Sequence, residues 1–180
     1  MVSGVAAFAF AIVVIACSDK KPADDTTVTT SHEQKDNKKD AEFVSKAAEG
    51  GIYEVELGRL AQMRGTSGQV KDLGKMMADE HSKANEELKA LAAKKNITVP
   101  TTMGNDLQKK FDMLSAKSGA DFDKEYASMM VDDHETDLKL FNKQAEHGDD
   151  PELKSWASGK VPVLEHHLEM ARETKDAVKD

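Results

Sequence analysis

Four ionisable residues stand in helical seams where apolar side chains are the rule. His81 interrupts the stripe Val70, Leu73, Met77, His81, Ala84, Leu88, Leu91, whose steps of three and four residues mark one face of a helix. His134 does the same in Tyr126, Met130, His134, Leu138, Phe141, Ala145. Glu54 sits in the stripe Phe43, Ala47, Gly50, Glu54, Leu57, Ala61, and His167 lies among Val163, Leu164, Leu168, Met170 and Ala171. An unpartnered carboxylate in such a seam costs on the order of several kcal/mol. Three imidazoles and one carboxylate form a ligand set for a single zinc, iron or manganese ion. The same groups without a metal make a hydrogen-bonded polar layer that sets helix register. Both readings stand on the residues alone. Glu80 and Asp133, each next to a seam histidine, are candidate acceptors for ring N–H groups on neighbouring helices. Glu56 and His166 point to other faces and are expected at the surface or rim.

The elements that must position these residues are helices. The 180-residue chain is poor in proline and aromatics, and Glu, Lys, Ala, Leu and Met suit helix formation. Four long helices are expected, near 41–65, 67–95, 120–147 and 161–179, with Asp40 as the cap of the first and Pro162 in the first turn of the last. Two short ones are expected within 105–117 and 151–158. "MMADEHSKANEELKALA" (76–92) and "MMVDDHETDLKLFNKQA" (129–145) repeat Met-Met, Asp, His and Ala at the same offsets, with Glu80 opposite Asp133. The four methionines of these repeats read as core packing. The tight "GTSG" turn makes the first two long helices antiparallel neighbours. The connector around Pro100, Gly104 and Gly119 can run back along the second, making the second and third parallel. The expected fold is all-α: a ferritin-like four-helix bundle with a long crossover and short accessory helices. Glu54, His81 and His134 lie near the midpoints of their helices and His167 within a turn of its own, so they fall in one central layer. The pair Gly50-Gly51 beside Glu54 allows close helix approach or a bend.

The N-terminus is a separate unit. "VAAFAFAIVVIA" (5–16) is an apolar run too short to span a bilayer as a mature helix, and it fits a signal-peptide core. "VIAC" resembles the bacterial lipobox, which implies cleavage before Cys17 and lipid on its sulfur. Ser18 follows and, by resemblance to Gram-negative sorting, favours the outer membrane over a free periplasmic location. Residues 18–39 are polar and read as a flexible tether, leaving 40–180 as the bundle domain. A net charge of −8 without a basic stripe argues against a nucleic-acid partner. No phosphate loop or nucleophile triad is present on spacing, so no catalytic residue is assigned.

"AAEGGIYEVELGRLAQ", the "DEH" and "DDH" helices and "VPVLEHHLEMA" together resemble the bacterial domain of unknown function 4142 family. The resemblance runs from about Glu42 to Glu173. It implies a ferritin-like fold and an outer-membrane setting, and it carries no reaction. Glu80 stands where that family usually has Asp. A standard di-iron centre takes Glu-x-x-His from two helices. Here Ala78, Val131 and Leu164 precede His81, His134 and His167 by three, which disfavours that centre. Two function classes follow: an envelope-anchored binding or structural module, and a single-metal or oxidative ferritin-like protein.

Overall fold

The computed structural model describes residues 29–179, with side chains from residue 38 onward. The apolar run, Cys17 and the first part of the tether lie outside the described residues. Five helices follow in order: α1 Thr29–Arg64, α2 Gly68–Lys94, α3 Gly104–Ser115, α4 Gly119–His147 and α5 Pro151–Ala177. The protein is an all-α bundle. α2 and α4 run within one residue of the expected bounds.

Two expectations need correction. The first helix begins at Thr29, well before Asp40, and takes in the end of the expected tether. "TTSHEQKDNKK" contains no proline or glycine, so a helix packed further along extends through it. Asp40 is therefore inside α1 rather than its cap. The last helix is a single element that includes Pro162, where two helices were expected. Pro162 is exposed, so the carbonyl of Ser158 that loses its partner faces water. The buried stripe Leu153, Ala157, Leu164, Leu168, Ala171 carries the helix across this position. Asp150 caps it, accepting from the backbone N–H groups of Glu152 and Leu153.

α1 packs along α2 and α4 along α5, and the hairpins meet through α1–α4 and α2–α5. Two buried aspartates lock them together. Asp40, at 3 % exposure, accepts from Gln144 Nε2 (2.8 Å) and from the backbone N–H groups of Asp149 (3.2 Å) and Asp150 (2.7 Å). Asp123, also at 3 % exposure, accepts from the backbone N–H groups of Thr66 (3.0 Å) and Ser67 (2.8 Å) and from the Thr66 hydroxyl. Each aspartate thus seals the turn of the opposite hairpin. These contacts put Asp40, in the first half of α1, beside the end of α4, and the end of α1 beside the start of α4, so α1 and α4 are antiparallel while α2 and α4 are parallel. α3 forms the crossover between them.

The clamps expose a second internal correspondence. Asp40 and Asp123, Glu54 and Asp137, Gly65 and Gly148, Ser67 and Asp150 are each 83 positions apart. The hairpins α1–α2 and α4–α5 are matching halves of one bundle.

The core is split around the middle. One cluster holds Leu57, Met77, Tyr126 and Met130, with Met76 and Met129 at its edge. The other holds Phe43, Leu88, Phe141 and Leu164, with Phe43 set edge-on to Phe141 at 5.2 Å. Each fully buried large side chain contributes roughly 1.5–3 kcal/mol. Close backbone approach occurs at Gly58 and Gly74: a Cβ on either would lie 2.4–2.7 Å from the carbonyl oxygen of the other. At Gly51 the obstacle would be the Asn85 side chain, and at Gly50 there is room, so the expected role of that pair falls instead to Gly58 and Gly74.

Candidate metal centre

Between the two apolar clusters the four helices bring Glu54 (α1), His81 (α2), His134 (α4) and His167 (α5) into one buried layer, none more than 7 % exposed. One ring nitrogen from each of His81, His134 and His167 lies within 4.8 Å of the others. The ring centroids are 5.1–5.5 Å apart.

Hydrogen bonding sets which nitrogen of each ring carries the proton. His134 Nδ1 lies 2.8 Å from the Met130 carbonyl, an acceptor only, so this nitrogen donates and Nε2 holds the lone pair. His167 Nε2 faces Glu80 Oε2 at 2.9 Å, which leaves the lone pair on Nδ1. His81 Nδ1 is 3.0 Å from Glu54 Oε2, while His81 Nε2 is buried without a partner. The lone pairs of His134 Nε2 and His167 Nδ1 then confront each other across 3.3 Å. Two lone pairs at that distance repel unless a cation lies between them. Tetrahedral bonds of ~2.0–2.1 Å hold ligand nitrogens about 3.3–3.4 Å apart.

Electrostatics favour neutral rings. Burial pushes His81 down to about 4, against the pull of Asp137 and Glu80. Burial, with His81 and His167 beside it, pushes His134 down to about 3. Burial and then His81 lower His167, while Glu80 raises it. Neutral imidazole is the ligating form.

Glu54 stands behind the histidines rather than among the converging nitrogens. Its oxygens face His81 Nδ1 at 3.0 Å and His134 Nδ1 at 3.5 Å. Neither contact has the direction of a good hydrogen bond, so both oxygens remain buried without a directed partner. Burial, then Asp133, raise the Glu54 carboxyl well above the usual range, while the neighbouring Asp137 opposes them. Asp137 is raised too, first by burial and then by Glu54. Glu80 takes the expected acceptor role, on His167. Asp133 does not: its Oδ1 pairs with Lys110 Nζ at 3.4 Å and its Oδ2 is buried without a partner. One helical step rotates it about 100° away from His134. The hydroxyls of Tyr53 and Tyr126 are also buried without partners. His166 is exposed, as expected, and Glu56 pairs with Arg59 at 2.7 Å.

The periodicity of α4 gives Asp137 no mark of its own. Its signal lay in the 83-residue spacing from Glu54, which pairs the two hairpins rather than the two histidine helices.

The three-imidazole set fits one tetrahedral or five-coordinate ion with an open position. The other nitrogens of His134 and His167 are held by a carbonyl and a carboxylate, the arrangement that orients metal-bound histidine, and His81 Nδ1 lies 3.0 Å from Glu54. A cavity of about 390 Å³ reaches this layer, bounded by Glu54, His81, Asp137 and His167 at its inner end. No curated protein and no solved structure matches the chain. The family model described as domain of unknown function (DUF4142) matches residues 25–174, and the chain belongs to that family.

Proposed function

We propose that this domain binds a single divalent transition-metal ion, with His81, His134 and His167 as ligands and Glu54 and Glu80 orienting two of them. The carrying observation is the 3.3 Å contact between His134 Nε2 and His167 Nδ1, both left as lone pairs by the acceptors on their other nitrogens. A polar layer built only for register would place a donor against an acceptor there. The donor set suits zinc, with iron(II) and manganese(II) as weaker candidates. When bound, such an ion supplies Lewis acidity and an open coordination position. The chain's own residues hold three neutral imidazoles ready and place two carboxyl groups beside the site.

The reading extends to location. The lipobox-like "VIAC" supports a lipid anchor on Cys17, with the domain held at the bacterial envelope. Among the described residues no helix is long and apolar enough to cross a membrane.

The test is metal analysis of protein purified without chelator, followed by melting with and without zinc, iron(II) and manganese(II). One ion per chain and a metal-dependent rise in melting temperature are expected, both lost in His134→Ala. No co-purified metal and no shift in the wild type would leave the layer as a register device only.

A further inference from the structure

The cavity at the metal layer has a particular place in the matched halves of the bundle. His134, His81 and His167 correspond, at the 83-residue spacing, to Gly51, Leu164 and Ala84. All three of those residues line the cavity. Each imidazole is thus matched, in the other half, by a small or aliphatic residue, and a hollow of about 390 Å³ lies along those three positions. Glu54 and Asp137, themselves a matched pair, also line the hollow.

The hollow is graded in polarity. Its inner end is His81 and His167 with the carboxyl groups of Glu54, Glu80 and Asp137 beside them. Leu88, Phe141 and Trp156 form apolar wall. Toward the outside stand Lys83, exposed, and Lys160, half-buried. The Lys160 ammonium sits 5.6 Å above the Trp156 ring and 2.5 Å from Glu87 Oε2. Trp156 is held in turn by its indole N–H donating to Glu87 Oε2 at 3.2 Å. This is a built compartment: an aromatic wall fixed by hydrogen bonding, leading to the three-nitrogen site.

We propose that this cavity binds a small organic carboxylate, its head on the open position of the metal and its apolar body against Leu88, Phe141 and Trp156. This rests on the metal reading above. A dication held by three neutral imidazoles attracts an anionic head, and Lys83 at the outer end adds to that field, while Lys160 is paired with Glu87. The walls reward an apolar body, and the volume admits an aryl or short alkyl group but not a polymer.

The experiment uses the full chain loaded with cobalt(II), whose visible spectrum reports its coordination, and the fluorescence of Trp156, the one tryptophan. Phenylacetate and acetate are titrated in parallel. Phenylacetate should change both signals saturably and bind at least about tenfold tighter than acetate, the increment of burying one aryl group. Ala84→Phe should keep the cobalt spectrum and lose that preference. Val163→Phe, on the same wall, serves if the first variant loses its helical circular dichroism. A cobalt spectrum that phenylacetate leaves unchanged, or equal binding of the two acids, overturns this inference and leaves the metal reading intact. Absence of any cobalt spectrum overturns both.

Discussion

The two kinds of ionisable group at the centre pull on pH in opposite ways. A histidine buried neutral destabilises the fold as pH falls below the unfolded value of about 6.5, because the unfolded chain takes up the proton first. A carboxyl whose folded value is raised does the reverse: its contribution is fully present below its unfolded value and fades as pH rises toward the folded one. Burial places Glu54 in the second class. In metal-free protein, Glu54→Gln should therefore gain on the wild type as pH rises from about 5 to 8, by at most ~1.4 kcal/mol per pH unit. Denaturant melts at several pH values measure this. A difference constant across that range would mean that Glu54 is ionised in the folded metal-free state. In the metal-loaded protein the order should invert, since a nearby dication and the His81 N–H it orients both favour the carboxylate.

At the scale of elements, the bundle depends on its two aspartate clamps and one glycine contact. Asp123 satisfies two backbone N–H groups at the α1–α2 turn, and Asp40 does the same at the α4–α5 turn. Either one changed to Ala strands part-buried donors, and a loss of about 1–3 kcal/mol is expected in urea melts. The clamps are remote from the histidines, so the metal-to-protein ratio of the folded variants should stay at the wild-type value. Gly58→Ala should cost about 1–3 kcal/mol, because its Cβ meets the backbone of α2 and the helices must part. Gly68→Ala, where a Cβ meets nothing, is the control in the same melts and should cost less than about 0.5 kcal/mol.

At the scale of the whole molecule, the proposed anchor at Cys17 precedes every residue of the two apolar clusters. Cys17→Ser should release the chain from membrane fractions, because no described helix offers a second anchor. Fractionation with detection of the domain measures this, and an unlipidated wild type found soluble in the periplasm would contradict it. The released domain should melt at the wild-type temperature, since both apolar clusters and both clamps begin at or beyond Asp40.

The amino-acid sequence alone determined the helices, their polar interruptions and the family likeness. Heptad-like steps around His81 and His134 are local patterns, and the short "GTSG" turn limits its neighbours to an antiparallel pair. The bounds of α2 and α4 follow from the same local physics. Tertiary structure decided the rest. Pro162 reads locally as a helix start, but an exposed carbonyl and a continuous buried stripe carry α5 through it. Asp40 reads as a cap, and packing turned it toward a turn more than a hundred residues away. Glu54 reads as a ligand from its seam alone, yet the converging nitrogens are the histidines' own, and Glu54 lies on their far side. Which nitrogen of a ring is free, and where Asp137 meets Glu54, depend on contacts between helices. Such contacts leave no mark on any one helix's periodicity, because periodicity records which face is buried and not what that face meets.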